Sequence, residues 1–90
     1  MPNPLRNTGW ELIIEFLLYC GCEQGEMQGD DEIYYYPKNR TWGIKVNKHP
    51  KYKRSGYPLG TLLSNIRCLY NVSGITKKAW IDWFREKRNF

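Results

Sequence analysis

Three groups of side chains have the chemistry to act on a ligand. His49, the single histidine, follows Lys48 and precedes Lys51 by two residues. An imidazole titrates near neutral pH and neighbouring ammonium groups would hold a phosphate beside it, so acid–base work on a phosphodiester is one reading. A two-histidine ribonuclease mechanism is closed to a chain with one histidine, and the reading taken for His49 is a structural or binding role. The triplet Asp30-Asp31-Glu32 offers oxygen ligands to a divalent cation. In a strand, however, Asp30 and Glu32 point one way and Asp31 the other, so only two converge. The triplet therefore reads as a solvated turn or a docking point for a basic partner, and no metal or cofactor is assigned. The third group is Lys38, Arg40, Lys45, Lys48, Lys51, Lys53 and Arg54, with Tyr52 and Tyr57 interleaved and Arg67 farther on. Flexible cations neutralise phosphates and tyrosine rings stack on unpaired bases. These bases, with His49 and Tyr52, are the predicted RNA-binding residues; the competing reading is a solvated loop.

The totals bound the rest. Ninety residues make one domain with a modest core. Seven Tyr and four Trp supply much buried area from few positions, and Trp10, Trp42, Trp80 and Trp83 are all assigned to the core. No apolar run approaches the roughly 20 residues of a membrane span. The most apolar stretch, Leu12 to Leu18, is broken by Glu15 and lacks a basic leader, which speaks against a secretory signal. Three cysteines do not make a disulfide framework, and Cys20-Gly21-Cys22 is too tight for a zinc knuckle. Reduced thiols and a cytoplasmic location follow as the expectation. Net charge is +5, unevenly spread: residues 1–35 carry one base against seven acids, residues 36–90 thirteen bases against two. An asymmetry of −6 to +11 points to a polyanion partner or to a merely solvated basic surface.

The elements that must position these groups can be read in order. Met1 to Asn7 is a loose leader. Thr8-Gly9-Trp10-Glu11 has the form of a capping box, and Trp10, Ile13, Ile14, Leu17 and Leu18 recur on one helical face. Leu12, Phe16 and Tyr19 lie off that face and suit a partner chain, while Gly21 supplies a left-handed cap. Strands are predicted at Cys22–Met27, Glu32–Tyr36 and Thr41–Val46, the last two joined through the Pro37-Lys38-Asn39-Arg40 turn. Asn47 to Pro58 contains no aliphatic side chain, and so long a loop in a small domain is functional or mobile. A second helix carries Leu59, Leu62, Leu63, Ile66, Leu69 and Tyr70; a third, capped by Thr76, carries Ala79, Trp80, Trp83 and Phe84. The order α-β-β-β-α-α predicts an α+β fold with a helical layer on a small antiparallel sheet.

Over roughly residues 8–84 this pattern resembles the HicA-type toxins of bacterial toxin–antitoxin pairs. Cys20-Gly21-Cys22-Glu23 is similar to the turn after that family's first helix, and Gly29 falls where the family has Gly-Ser-His. Val46-Asn47-Lys48-His49 resembles its Val-Pro-x-His, and Gly60-Thr61-Leu62-Leu63-Ser64-Asn65-Ile66 its Gly-Thr-Leu-x-x-Ile helix opening. The resemblance implies a small double-stranded-RNA-binding-domain-like α-β-β-β-α sandwich, here with an extra C-terminal helix. It also implies an mRNA interferase activity (metal-independent endoribonuclease), an RNA substrate and a HicB-like antitoxin partner. One departure bears on activity. The family's catalytic histidine falls at Asp31 and its serine at Asp30. An aspartate at neutral pH has no proton to donate as a general acid, and adjacent carboxylates repel a phosphate. The alternatives are a catalytically inactive RNA- or DNA-binding module and a protein-interaction domain on the same fold.

Overall fold

The computed structural model describes residues 3–88. Helix α1 (Trp10–Tyr19) leads into strands β1 (Glu23–Gln28), β2 (Asp31–Tyr36) and β3 (Asn39–Asn47). A short 3-10 turn at Pro50–Tyr52 precedes α2 (Leu59–Ser73) and α3 (Lys77–Arg88). The strands form one antiparallel sheet in the order β1-β2-β3. This is the expected α-β-β-β-α arrangement with one further helix. The radius of gyration, 12.2 Å, is that of a single folded unit of this length.

The two hairpins follow from their turn residues. Gln28 pairs with Asp31, so Gly29-Asp30 is a two-residue turn, and Gly29 adopts a φ of +64°. Tyr36 pairs with Asn39, leaving Pro37-Lys38 as the second turn, two residues shorter than predicted. Helix α1 ends in a Schellman motif: Gly21 donates to the Leu18 carbonyl and Cys22 to that of Leu17. The start of α1 differs from expectation. Its N-cap is Gly9 without a side-chain hydrogen bond; Thr8 is buried, donates to the Pro4 carbonyl at 3.4 Å and accepts from Arg88.

The helices lie on one face of the sheet, around Tyr34, Ile44 and Val46. On α1 the buried residues are Ile13, Phe16 and Leu17, so the inward face is rotated from the predicted stripe and Leu18 is exposed. The reason is α3: Phe16 stacks 4.4 Å from the Trp80 ring centroid and 5.4 Å from that of Trp83. Helix α2 runs to Ser73, past its predicted end, and thereby buries Val72. Leu5 is buried in the core, and Arg88 on α3 donates to the Arg6 carbonyl at 3.0 Å. Within the described residues the leader is therefore clasped rather than loose; Met1 and Pro2 lie outside them. Of the four tryptophans, Trp80 is fully buried, and Trp10 and Trp83 are half-buried against the core. Trp42 is 63% exposed, a correction to its assignment as a core residue.

Candidate nucleic-acid interface

The loop after β3, read from the sequence as functional or mobile, is held by hydrogen bonds from several sides. Tyr57 is buried beneath it, donating to Asn65 Oδ1 at 3.1 Å and accepting from the Asn47 N–H at 3.1 Å. Asn65, also buried, donates to the Lys45 carbonyl at 2.8 Å. Asn47 Oδ1 accepts from the His49 N–H at 2.9 Å, and His49 Nδ1 from the Lys51 N–H at 3.1 Å. From α1, Trp10 Nε1 donates to the His49 carbonyl at 3.0 Å, and the Glu11 N–H to the Lys53 carbonyl at 3.2 Å. Gly9 is where α1 and the loop meet most closely: a Cβ there would lie 2.3 Å from the Lys53 carbonyl oxygen. Only glycine allows that approach.

This placement engages the His49 side chain with the backbone. Its Nδ1 accepts from a backbone amide, so in the neutral ring the proton sits on Nε2. The ring caps the 3-10 turn 5.9 Å from Tyr52, and its one basic nitrogen is engaged. Asp31 opens β2 on the other face of the sheet from Glu32 and stands opposite Asn47. The acidic triplet does not form a strand-borne pair: Asp30 lies in the turn, Asp31 is half-buried, and Glu32 is only 3% exposed.

Glu32 is the centre of a cluster that sequence reasoning missed. Its Oε1 accepts from the Tyr34 hydroxyl at 2.5 Å and lies 3.3 Å from Lys48 Nζ, and its Oε2 accepts from Gln24. Lys48 also lies 5.0 Å over the Trp10 ring. Burial pushes the Glu32 carboxyl upward, but hydrogen bonds from Tyr34, Lys48 and Gln24 outweigh it and leave it below the usual carboxylate range. Burial and the same carboxylate push the Tyr34 hydroxyl well up. A weakened base beside a weakened acid is a poor pair for proton transfer, and the ion pair of the cluster is Glu32 with Lys48. Its signal in the sequence is faint, since Glu32 meets Lys48, 16 residues on, only after the β2–β3 hairpin has formed.

The predicted RNA-binding cations fall into two sets. Arg40 pairs with Glu23 at 2.8 Å and lies 4.7 Å over Tyr35; Lys48 pairs with Glu32; Lys53 pairs with Glu11 at 3.5 Å. Lys38, Lys45, Lys51, Arg54 and Arg67 have no carboxylate partner among the described residues. Nor do they converge on one spot. At about 3.3 Å per residue, β3 carries the chain roughly 26 Å from Asn39 to Asn47, which separates Lys38 from the Lys51–Arg54 loop. Lys51 shields the half-buried Tyr52, its Nζ 5.5 Å from the ring centroid.

Lys45 is better placed. It forms one wall of an open groove whose other wall is Gly60, Thr61, Ser64 and Cys68 of α2. Asn65 and Cys68 hold α2 along the free edge of β3 by donating to the Lys45 and Gly43 carbonyls; this also blocks the edge against pairing. Helix α2 starts at Pro58 without a side-chain cap and without an acidic residue in its first turn. The first N–H groups of a helix lack intrahelical partners, and here no side chain caps them and no carboxylate offsets the positive end of the dipole. Arg67 is exposed three residues beyond Ser64, one turn along the helix. From Pro37 to Ile81 the chain contains no Asp or Glu at all. Gly60, Thr61 and Ser64 were not among the predicted site residues; the acid-free run and the hydroxyls spaced three apart were the available signal.

No family model, curated protein or solved structure matches this chain.

Proposed function

We propose that this protein binds RNA through the groove between β3 and the first half of α2, whose lining contains no carboxylate. The observation that carries this is the groove between Lys45 and the Gly60–Ser64 turn, with Arg67 beyond it. Cations without carboxylate partners, hydroxyls and uncapped helix amides are complementary to a phosphodiester backbone. A partner with many negative charges also fits a chain whose net charge is +5.

The HicA-like order of elements supports the setting of a toxin with a HicB-like antitoxin partner and a cytoplasmic RNA target. Among the described residues no helix is long and apolar enough to cross a membrane. The reading is of binding rather than cleavage. Asp31 occupies the position where the resemblance puts a catalytic histidine, and His49 uses its Nδ1 to cap a turn.

Fluorescence anisotropy with a labelled RNA across a salt series tests the binding. The expected result is an affinity that falls steeply with salt, with a slope reduced by about 1 for each of Lys45→Ala and Arg67→Ala. A flat salt response sinks the proposal. Cleavage is tested separately by RNA integrity after expression and by an assay of wild type beside Asp31→His and His49→Ala. Degradation by wild type would replace the binding-only reading with an mRNA interferase. Activity gained in Asp31→His alone would mark a cleavage scaffold lacking its catalyst.

A further inference from the structure

Stacking on a base requires an exposed ring beside the phosphate contacts, and the two tyrosines interleaved with the loop cations do not supply one. Tyr57 is buried, with its hydroxyl held between Asn47 and Asn65. Tyr52 is half-buried, next to the His49 ring and under the Lys51 ammonium. On the sheet, Tyr35 is occupied as well: Arg40 lies 4.7 Å over its ring, and its hydroxyl donates to Glu26.

Among the described residues the exposed aromatic rings are Tyr19, Trp42 and Tyr70. Tyr19 lines a hollow with Glu15 and Glu86, whose carboxylates repel a phosphate. Tyr70 is two residues beyond Cys68, and so about 200° around α2 from the thiol that faces β3. Trp42 adjoins the groove. It precedes Gly43, which lines the groove and whose carbonyl accepts from Cys68 Sγ at 3.5 Å. The backbone sets Trp42 apart from the rest of its strand. Tyr34 pairs with Ile44 and Tyr36 with Asn39, so two steps along β2 oppose five along β3, and Trp42 stands in the resulting bulge. Bulges re-aim side chains. Here an indole that regular alternation with Ile44 and Val46 would bury is 63% exposed. Lys45 lies three residues on, about 10 Å along the strand. At that separation one nucleotide strand can put a phosphate on Lys45 and a base on Trp42.

Resting on the RNA-binding reading above, we infer that Trp42 is a base-stacking residue at the Gly43–Cys68 end of the groove, and that the RNA it takes is unpaired. In a duplex the bases stack on one another, and their faces are closed to an indole. A single strand offers them. Charge alone favours the duplex, which carries two phosphate chains. A preference for the single strand is therefore a signature of the ring.

Anisotropy titrations of the full chain with labelled oligouridylate, and with the same strand paired to oligoadenylate, test this. Wild type is expected to bind the single strand more tightly than the duplex. Trp42→Ala is expected to weaken the single strand about tenfold, to leave the duplex unchanged and to keep the salt slope, since no charge is removed. Trp42→Phe, which keeps a ring, should recover most of the loss, and Tyr70→Ala should bind as wild type does. Thermal unfolding of both Trp42 variants separates a lost contact from a lost fold. A single strand bound by Trp42→Ala as tightly as by wild type overturns the stacking role and leaves the RNA reading standing. So does a loss shared equally by the duplex or by Tyr70→Ala. Failure of wild type to bind either RNA overturns both.

Discussion

Lys45 and Lys48 lie three residues apart, yet they belong to different kinds of site. Lys45 is exposed on the wall of a groove without carboxylates. Lys48 is half-buried, bonded to Glu32 and laid over Trp10. The difference shows why a count of charges along a chain misjudges a binding surface. The acids of residues 1–35 and the bases of residues 36–90 are separate in sequence, but β1, β2 and α1 bring Glu23, Glu32 and Glu11 against Arg40, Lys48 and Lys53. What stays available to a polyanion is the part of the basic half that folding leaves away from those carboxylates.

The strongest way to break this comparison is to remove Glu32. Glu32→Ala leaves Lys48, Gln24 and the Tyr34 hydroxyl without their shared acceptor. Loss of one partner of a buried ion pair costs about 3 kcal/mol, and less where the site opens to solvent, as Glu32 does into a hollow lined by Trp10, Gln24 and Lys48. We expect about 2 kcal/mol in urea unfolding, against less than about 0.5 kcal/mol for Lys45→Ala. Equal effects would mean that Glu32 does not organise its cluster. A comparable loss is expected from Tyr57→Phe, which strips the Asn47 N–H and Asn65 Oδ1 of their bridge. It should cost about 1–2 kcal/mol and speed amide exchange at Asn47 and His49, because a buried polar group is left unpaired. Unchanged exchange at both amides would show that the loop is pinned from elsewhere.

The same contrast explains what could be read from the residues. The helices and the second hairpin were legible because their punctuation is local: Gly21 at positive φ, Pro37 in the turn, and apolar spacing on α2 and α3. The inward face of α1 was not, because Phe16 is chosen by Trp80, whose position depends on three intervening strands. Leu5 looked isolated among prolines, and its burial depends on α3 returning to clasp the leader. The acidic triplet was misjudged by one residue of strand boundary. With Gly29-Asp30 in the turn, alternation sends Glu32 alone to the helix side. Lys45 and Arg67 were singled out and are exposed, but the groove between Lys45 and α2 depends on how α2 lies along β3, which no local pattern records.

For RNA, the comparison sharpens into a difference of binding. Lys45→Ala with Arg67→Ala should weaken a labelled RNA by about tenfold at moderate salt, or about 1.4 kcal/mol, and flatten the salt slope by about 2. Lys48→Ala should leave the slope nearly unchanged, because that ammonium is already neutralised. A larger effect from Lys48→Ala would put the contact on the α1 side instead.

The smallest expected effect is the dependence of stability on pH. The Glu32 carboxyl sits below its usual range in the folded chain, so folding favours the ionised form. Its contribution is fully present above the unfolded value of about 4.3, and is lost as pH falls from there through the lower folded value. The thiols act in the opposite window. Burial pushes Cys20 up to about 11 and Cys22, with added repulsion from the other cysteines, up to about 12. The neutral thiols are favoured by folding, so their contribution is present below the unfolded value of about 8.5 and is lost as pH rises through the folded values. Urea midpoints from pH 3 to pH 10 should therefore fall at both ends, with Glu32→Gln flattening only the acid limb and Cys22→Ala only the alkaline one. An acid limb unchanged in Glu32→Gln would assign acid sensitivity to other carboxylates and leave the Glu32–Lys48 pair without measurable weight.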